Sequence, residues 1–443
     1  MRRRIAQSAV AAVAALFLFA ACGGNGSGDA ATSPSPDASP AATAEASPSP
    51  APTGDYAIQE VSCSADAQTC LTVWVDETRQ GPVEDAARTY MAANSGVEFN
   101  IVQKNFNDLQ NDFIQQVPTG HGPDITVGAN DWTGAMVQAG VVSPVTIANA
   151  SDFEAVAISA FTYEGQVYGV PYSIENLALV RNTDLADTAP ATWDDAIAAG
   201  QAAGKEFNVL IQVSDQGDPY TMYPLQNSFG AAVFEQNSDG SFNSTIAMGG
   251  DPGHAFAAWL SDQGTAGNLS TSITPDIAYE KFAAGDAPFI ITGPWNIPNF
   301  TGMNLSIDPI PSAGGHPANP FTGIQGFFVS SQSTNSIAAN DFLTSAIASE
   351  DVQVALAAAG GRPPALTAAQ ATAFAADTTG TMEGFAAVGK DAIPMPNIPA
   401  MASVWQFWGV TQAQIISGQQ SGTPADAWDA MITNIQNAIT GGS

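Results

Sequence analysis

The sequence is short of basic residues, of charge in general, and of cysteine and histidine. Lysine and arginine number 11 against 42 acids in 443 residues, for a formal net charge of -31. A nucleic-acid binder needs a basic face to neutralise phosphates, so this scarcity argues against that class. Attachment to anionic lipid through a polybasic patch is disfavoured for the same reason. Three cysteines and three histidines leave little room for a protein-built zinc or iron–sulfur site, and no metal or other cofactor is expected. His121, His254 and His316 sit in Gly- or Pro-rich surroundings without spaced partners and read as loop histidines. The patterns G-x-x-x-x-G-K-[ST], H-E-x-x-H and G-x-S-x-G are all missing, which leaves P-loop NTPase, zinc hydrolase and serine hydrolase readings without support. Charged residues are 12% of the chain, about half the usual share in soluble proteins. Hydrophobic residues are 45%, enough to build sizeable cores. The length suggests about three domains at roughly 150 residues each.

The beginning of the chain reads as processing signal rather than fold. Met1-Arg2-Arg3-Arg4 is a basic start, Ile5 to Ala21 an uncharged and mostly apolar run, and small residues precede Cys22. These are the marks of a secretory signal peptide over residues 1–21. A transmembrane anchor is the competing reading, for which the run is slightly short. Ala20-Ala21-Cys22-Gly23 resembles a bacterial lipobox, which implies cleavage before Cys22 and lipid on its sulfur. Such a lipid would tether the protein to a membrane without a spanning helix; ordinary secretion is the alternative. Gly23 to Gly54 contains no aromatic and no β-branched aliphatic residue. It cannot bury apolar area, so residues 22–55 read as an extended, disordered tether. Cleavage would remove three arginines and no acids, so the remaining chain is more acidic still. Cys63 and Cys70, with six residues between them, are then expected to form a disulfide in an oxidising compartment.

From Leu71 onward the pattern is strand, helix, strand, helix, strand. Leu71 to Val75 is an apolar run of β-formers, consistent with burial on both faces. Gly81-Pro82 opens a helical pattern that stops at Asn94-Ser95-Gly96. Val97 to Val102 reads as a strand, Asp108 to Val117 as a helix, and Asp124 to Val127 as a short strand. That alternation predicts a parallel sheet covered by helices. Tyr163 to Gln166 reads as a hairpin turn, and Leu177 to Arg181 as a further strand. Thr192 to Asp195 has capping-box spacing, and Thr274-Pro275 is an N-cap followed by proline at the first helical position. Asn340 to Ala359 and Pro424 to Ile439 each read as one helix. No composition break separates two halves, so the expectation is a two-lobed α/β protein whose chain crosses between lobes more than once.

Aromatic residues gather near turns and strand ends. Trp295 follows Thr292-Gly293-Pro294, Tyr220 follows Asp218-Pro219, and Trp405 follows Pro396-Asn397-Ile398-Pro399 at a short distance. Tryptophan faces attract the C–H faces of pyranose rings while nearby carboxylates and amides bond hydroxyls, so the pattern points to carbohydrate. Core packing is the competing role for any one of them.

Seven blocks stand in order along the chain: Leu71 to Asp76, Thr119-Gly120-His121-Gly122-Pro123-Asp124 with Ala129-Asn130-Asp131, Tyr168 to Glu175 with Asn182 to Leu185, Pro190 to Asp195, Asp218-Pro219-Tyr220, Thr292 to Trp295, and Met395 to Pro399. In that order they resemble the extracellular solute-binding proteins of ABC sugar importers, of the maltose/maltodextrin-binding type. The resemblance covers roughly residues 70–440. It implies an α/β, periplasmic-binding-protein-like fold of two Rossmann-like lobes joined by a multi-crossing hinge. The N-lobe would comprise residues 56–174 and 312–361, and the C-lobe residues 175–311 and 362–443. It also implies ligand contacts from Asp76 and Arg79 near the first helix, Asp131 in the N-lobe, Glu175 at the hinge, Asp218 and Tyr220 in the C-lobe, and stacking by Trp295 and Trp405. Gly128 stands where the family's maltodextrin binders have tryptophan, and Trp132 where they have arginine, which moves the aromatic surface by a few residues and adds Trp132 to the candidates. Gln406 replaces a tyrosine and Gly409 an arginine.

What the resemblance implies is capture without chemistry: a monomer, lipid-anchored outside a bacterial (Gram-positive) cell membrane, that closes on an oligosaccharide and docks on permease subunits coupled to an ATPase. Maltose or a short maltodextrin is the first choice of ligand. Trehalose, sucrose, a polyol or a peptide is the alternative. A surface glycoside hydrolase using two of Asp131, Glu175 and Asp218 is the reading from another class.

Overall fold

A computed structural model describes residues 62–238 and 240–441. The signal peptide, Cys22 and the tether expected over residues 1–55, and the first six residues of the expected N-lobe, lie outside the described residues.

The alternating pattern after Cys70 folds as a parallel sheet. β1 (Thr69–Val75) lies between β2 (Val97–Gln103) and β3 (Ile125–Ala129), parallel to both. Cys63 and Cys70 are disulfide-bonded with their Cα atoms 5.9 Å apart. β4 (Val142–Ser143) follows, then a hairpin of β5 (Thr162–Tyr163) and β6 (Gln166–Val167). Its turn, Glu164-Gly165, has φ of 50° and 78°, as a tight two-residue hairpin requires. β7 (Gly169–Glu175) leads out of this region into β8 (Ala178–Asn182). Beyond it come the antiparallel hairpin β9 (Phe234–Gln236) and β10 (Phe242–Ile246), then β11 (Phe289–Thr292) and β12 (Leu305–Asp308), both antiparallel to β8. β13 (Phe321–Ser330) is buried along its whole length and returns to the first sheet, antiparallel to β3, β4 and β7. β14 (Ile393–Pro394) pairs with the start of β13.

Two large hydrophobic cores result. One holds Leu71 through Tyr172 and Ile324 through Ala369; the other holds Leu177 through Phe321 and Met395 through Ile435. A smaller cluster under β8 and β11 extends the second. The chain therefore changes core between Tyr172 and Leu177, between Phe321 and Ile324, and after Ala369. The later two changes fall past the sequence-read boundaries at 311 and 361. Ala318 and Phe321 still pack in the second core, and Ala365, Leu366 and Ala369 in the first. The segment after β14 binds both sides: Met395 packs in the second core, while Asn397 donates to the carbonyls of Ala160 and Thr162 at 2.9 Å and accepts from the Gly134 N–H.

Helix starts follow their caps. Thr192 and Asp195 form the expected capping box, and Thr274 caps the helix Pro275–Ala283. The first helix runs Glu77–Ala93, so it begins before the expected Gly81-Pro82. The Asp76 carboxylate sets that start by accepting from the Thr78 and Arg79 N–H groups at 3.1 and 3.2 Å. The single helix expected over 340–359 is instead a helix Ser336–Asp341, a wide turn Phe342–Ile347 and a helix Glu350–Gly360. Ser349, in extended conformation, starts the last of these afresh with its own side-chain cap.

Candidate functional site

Four candidates come from the carboxyl ends of the parallel strands, where open α/β sheets form their crevice. Asp76 and Arg79 follow β1, and Asp131 and Trp132 follow β3 in a short turn, Asn130–Trp132. Arg79 is buried and holds the Asp76 carboxylate through Nη1 and the Tyr172 hydroxyl through Nε. Its guanidinium carbon lies 4.9 Å from the centre of the Phe106 ring, and its Nη2 is buried with no partner. Phe106 opens the helix after β2 and lies 5.0 Å from Trp132, with the ring planes at 33°. The Trp132 ring covers Gly128: a Cβ there would stand 2.4 Å from Trp132 Cε3. The glycine and the tryptophan are thus two halves of one arrangement.

The second group follows the strands and helices of the other core. Asp218 caps the helix Pro219–Asn227, accepting from the Thr221 N–H at 2.9 Å, the Thr221 hydroxyl at 3.0 Å and the Gln212 amide. Its oxygens are committed to that cap, so its position is first a structural one; burial raises its pKa. Tyr220 lies 6.3 Å from Trp295 and 6.2 Å from Phe321, ring centre to ring centre, with its hydroxyl buried and unpartnered. Trp295 sits in the short helix Pro294–Phe300 that follows β11. Trp405, in the helix Ala402–Ser417, stacks on Trp408 at 5.5 Å. Trp408 itself is fully buried and donates its indole N–H to Gln226, a core role.

The chain crossings supply the centre. Glu175 ends β7; its carboxylate accepts from Arg362 Nε at 2.6 Å and from Gln325 Nε2 at 2.9 Å. The Arg362 guanidinium carbon lies 5.6 Å from the centre of the Trp295 ring, which joins the hinge to the aromatic group. Gln325 Oε1 is buried without a partner. Arg362, Gln325 and Phe106 were not among the candidates read from the sequence. Arg362 carries the clearest sequence signal, a lone cation between Gly360-Gly361 and Pro363-Pro364 in a cation-poor chain.

Asp131 meets this centre from the first core. Burial raises its pKa to about 7, with a contribution from the Glu175 charge; hydrogen bonds from its own backbone and from Trp405 oppose the shift. The Trp405 contact brings one side chain of each core together. Arg79, Asp131, Glu175, Gln325, Arg362, Tyr220, Trp295 and Trp405 therefore form one constellation, in which Arg79 Nη2, the Tyr220 hydroxyl and Gln325 Oε1 lack protein partners. Buried polar atoms cost about 1–3 kcal/mol each when unpaired, so this arrangement is suited to a ligand carrying several hydroxyls and apolar ring faces. Among the described residues there is no group of three or more metal-ligating side chains, and no helix long and apolar enough to cross a membrane.

Residues 85–383 match the family model described as bacterial extracellular solute-binding protein. The chain is 30% identical over 384 residues to a maltodextrin-binding protein of Bacillus subtilis, covering 83% of this chain and 90% of that one. It is 26% identical over 382 residues to a maltooligosaccharide ABC transporter solute-binding lipoprotein of Streptococcus pneumoniae, covering 83% and 88%. Its structure is similar to that of a Thermus thermophilus maltotriose binding protein bound with maltotriose, with a TM-score of 0.74 and 29% identity over 83% of this chain and 100% of the other.

Proposed function

The chain belongs to the bacterial extracellular solute-binding proteins, and from that premise we propose that it captures a maltose- or maltodextrin-like oligosaccharide between two lobes and delivers it to an ABC permease. The observation that carries this reading is the constellation around Glu175. Aromatic side chains from the second core face carboxylates and cations of the first, and three buried polar atoms there await partners. In this reading Tyr220, Trp295, Trp405 and Trp132 stack on pyranose faces. Asp131, Arg79, Arg362 and Gln325 bond hydroxyls, Asp76 holds Arg79, Glu175 holds Arg362 and Gln325, and Asp218 fixes the start of the helix that carries Tyr220. Closure of the lobes about the crossings completes the site, since each lobe alone presents only part of it.

The same reading makes the protein a monomeric carrier rather than an enzyme. A paired-carboxylate hydrolase needs two carboxyl groups free for acid and base work. Glu175 is tied to Arg362 and Gln325, and Asp218 to its helix cap. Secretion by residues 1–21, a lipid on Cys22 and an extended tether would hold the binding lobes outside the membrane near the permease and its ATPase.

Calorimetric titration with maltotriose, alongside trehalose, sucrose and an uncharged polyol, tests the proposal. Micromolar-scale binding of the maltooligosaccharide is expected, weakened about tenfold or more by Trp295→Ala through loss of one stacking face. Heat from none of the sugars, or new products after incubation with maltodextrin, would count against it.

A further inference from the structure

A cavity of about 500 Å³ lies between the β9–β10 hairpin and the strand β14, and none of the nine candidate ligand contacts lines it. Phe234, Phe242, Phe321, Ile393 and Pro394 form much of its wall, and among the described residues Glu235 is its one charged side chain. Its size falls in the usual range of small-molecule sites. The β14 edge beside it is closed to strand addition. The Ile393 and Met395 N–H groups donate to the carbonyls of Pro320 and Thr322 at 2.8 and 3.2 Å, and the alternate residues Pro394 and Pro396 have no N–H to offer. An extended peptide pairing with that edge is therefore the wrong occupant.

Tyr223 joins Glu235 and Gln236 as a polar side chain of the wall. The side chain lines the cavity and is 1% exposed. Its ring lies parallel to that of Phe321 with centres 3.6 Å apart. Its hydroxyl has no hydrogen-bond partner among the described residues, and burial alone raises its pKa. Phe321 also lies 6.2 Å from Tyr220, a member of the sugar constellation. The two places share a stack of rings without sharing lining residues from the candidate set.

We propose that this cavity is a second small-molecule site, for an uncharged, mainly apolar ring compound whose single hydrogen-bonding group meets the Tyr223 hydroxyl. An anion is disfavoured by Glu235 and by the absence of a cation from the wall. The ligand removes apolar wall from water, a favourable term, and the Tyr223 hydroxyl fixes its orientation.

Indole, a fused ring with one N–H, is the probe. It is titrated calorimetrically into the full chain, with and without saturating maltotriose. One indole per chain is expected in both conditions. Tyr223→Phe, which keeps the ring stack, should weaken indole about tenfold, the worth of one hydrogen bond. Ala247→Trp, which fills the cavity, should abolish it, and maltotriose affinity should be unchanged in both variants. The proposal is overturned if indole gives no saturable heat, if maltotriose displaces it, or if Tyr223→Phe binds it as tightly as the parent. A chain that binds indole in this pattern but no sugar would refute the sugar reading alone.

Discussion

Replacing Asp131 by Asn should remove a pH-dependent penalty on the native state. The Asp131 carboxyl is pushed up to about 7 by burial and by the Glu175 charge. In the unfolded chain it would titrate near the ordinary value of about 4. Below that value both states hold the proton and the site costs nothing. As pH rises from about 4 toward 7, the unfolded chain releases its proton first, so the native state is progressively disfavoured; above about 7 the penalty is constant. Three units correspond to at most about 4 kcal/mol, and water reaching the cleft screens this to about half. Asn carries no proton to lose and can still accept from Trp405. The stability of Asp131→Asn minus that of the parent should therefore be near zero at pH 4 and rise to about 2 kcal/mol in favour of the variant by pH 7.5. Urea titration of the ligand-free protein, followed by tryptophan fluorescence, measures it. A difference that is flat across this range, or that falls with pH, would refute the assignment of Asp131 as a buried, unneutralised acid.

Three further outcomes follow from the same geometry. Sugar hydroxyls donating to Asp131 favour its ionised form, so maltotriose should bind more tightly as pH rises through about 7, a trend absent in Asp131→Asn and readable by calorimetry at several pH values. Arg362→Met leaves Glu175 buried without its cation and should cost about 3–5 kcal/mol in urea denaturation; adding Glu175→Gln should restore part of that loss. Gly128→Ala puts a carbon 2.4 Å from the Trp132 ring, so the ring must leave Phe106, with a cost of about 1–3 kcal/mol and a shifted tryptophan emission.

How much of this was readable in the sequence depends on how far each determinant reaches along the chain. β1 is legible as a continuous apolar run because a strand buried on both faces needs nothing but such a run, whereas β3 is legible from the Gly122-Pro123 turn before it. The Thr192 and Thr274 helix starts are legible because a cap is closed within three residues. The first helix begins at Asp76 rather than at Gly81-Pro82 for the same local reason, but there a proline signal competes with an aspartate one. The Glu175 partners are of another kind: Arg362 is 187 residues away and Gln325 150 residues away. No spacing rule joins three chain crossings, and a resemblance carried residue by residue reaches only the positions whose motif is quoted. Gly128 and Trp132 show the intermediate case. Each looks like a departure when read alone, yet the ring of one occupies the space that a side chain on the other would need. The pair is legible only together, because what fixes either residue is the space the other leaves, a contact that no reading of one position at a time contains.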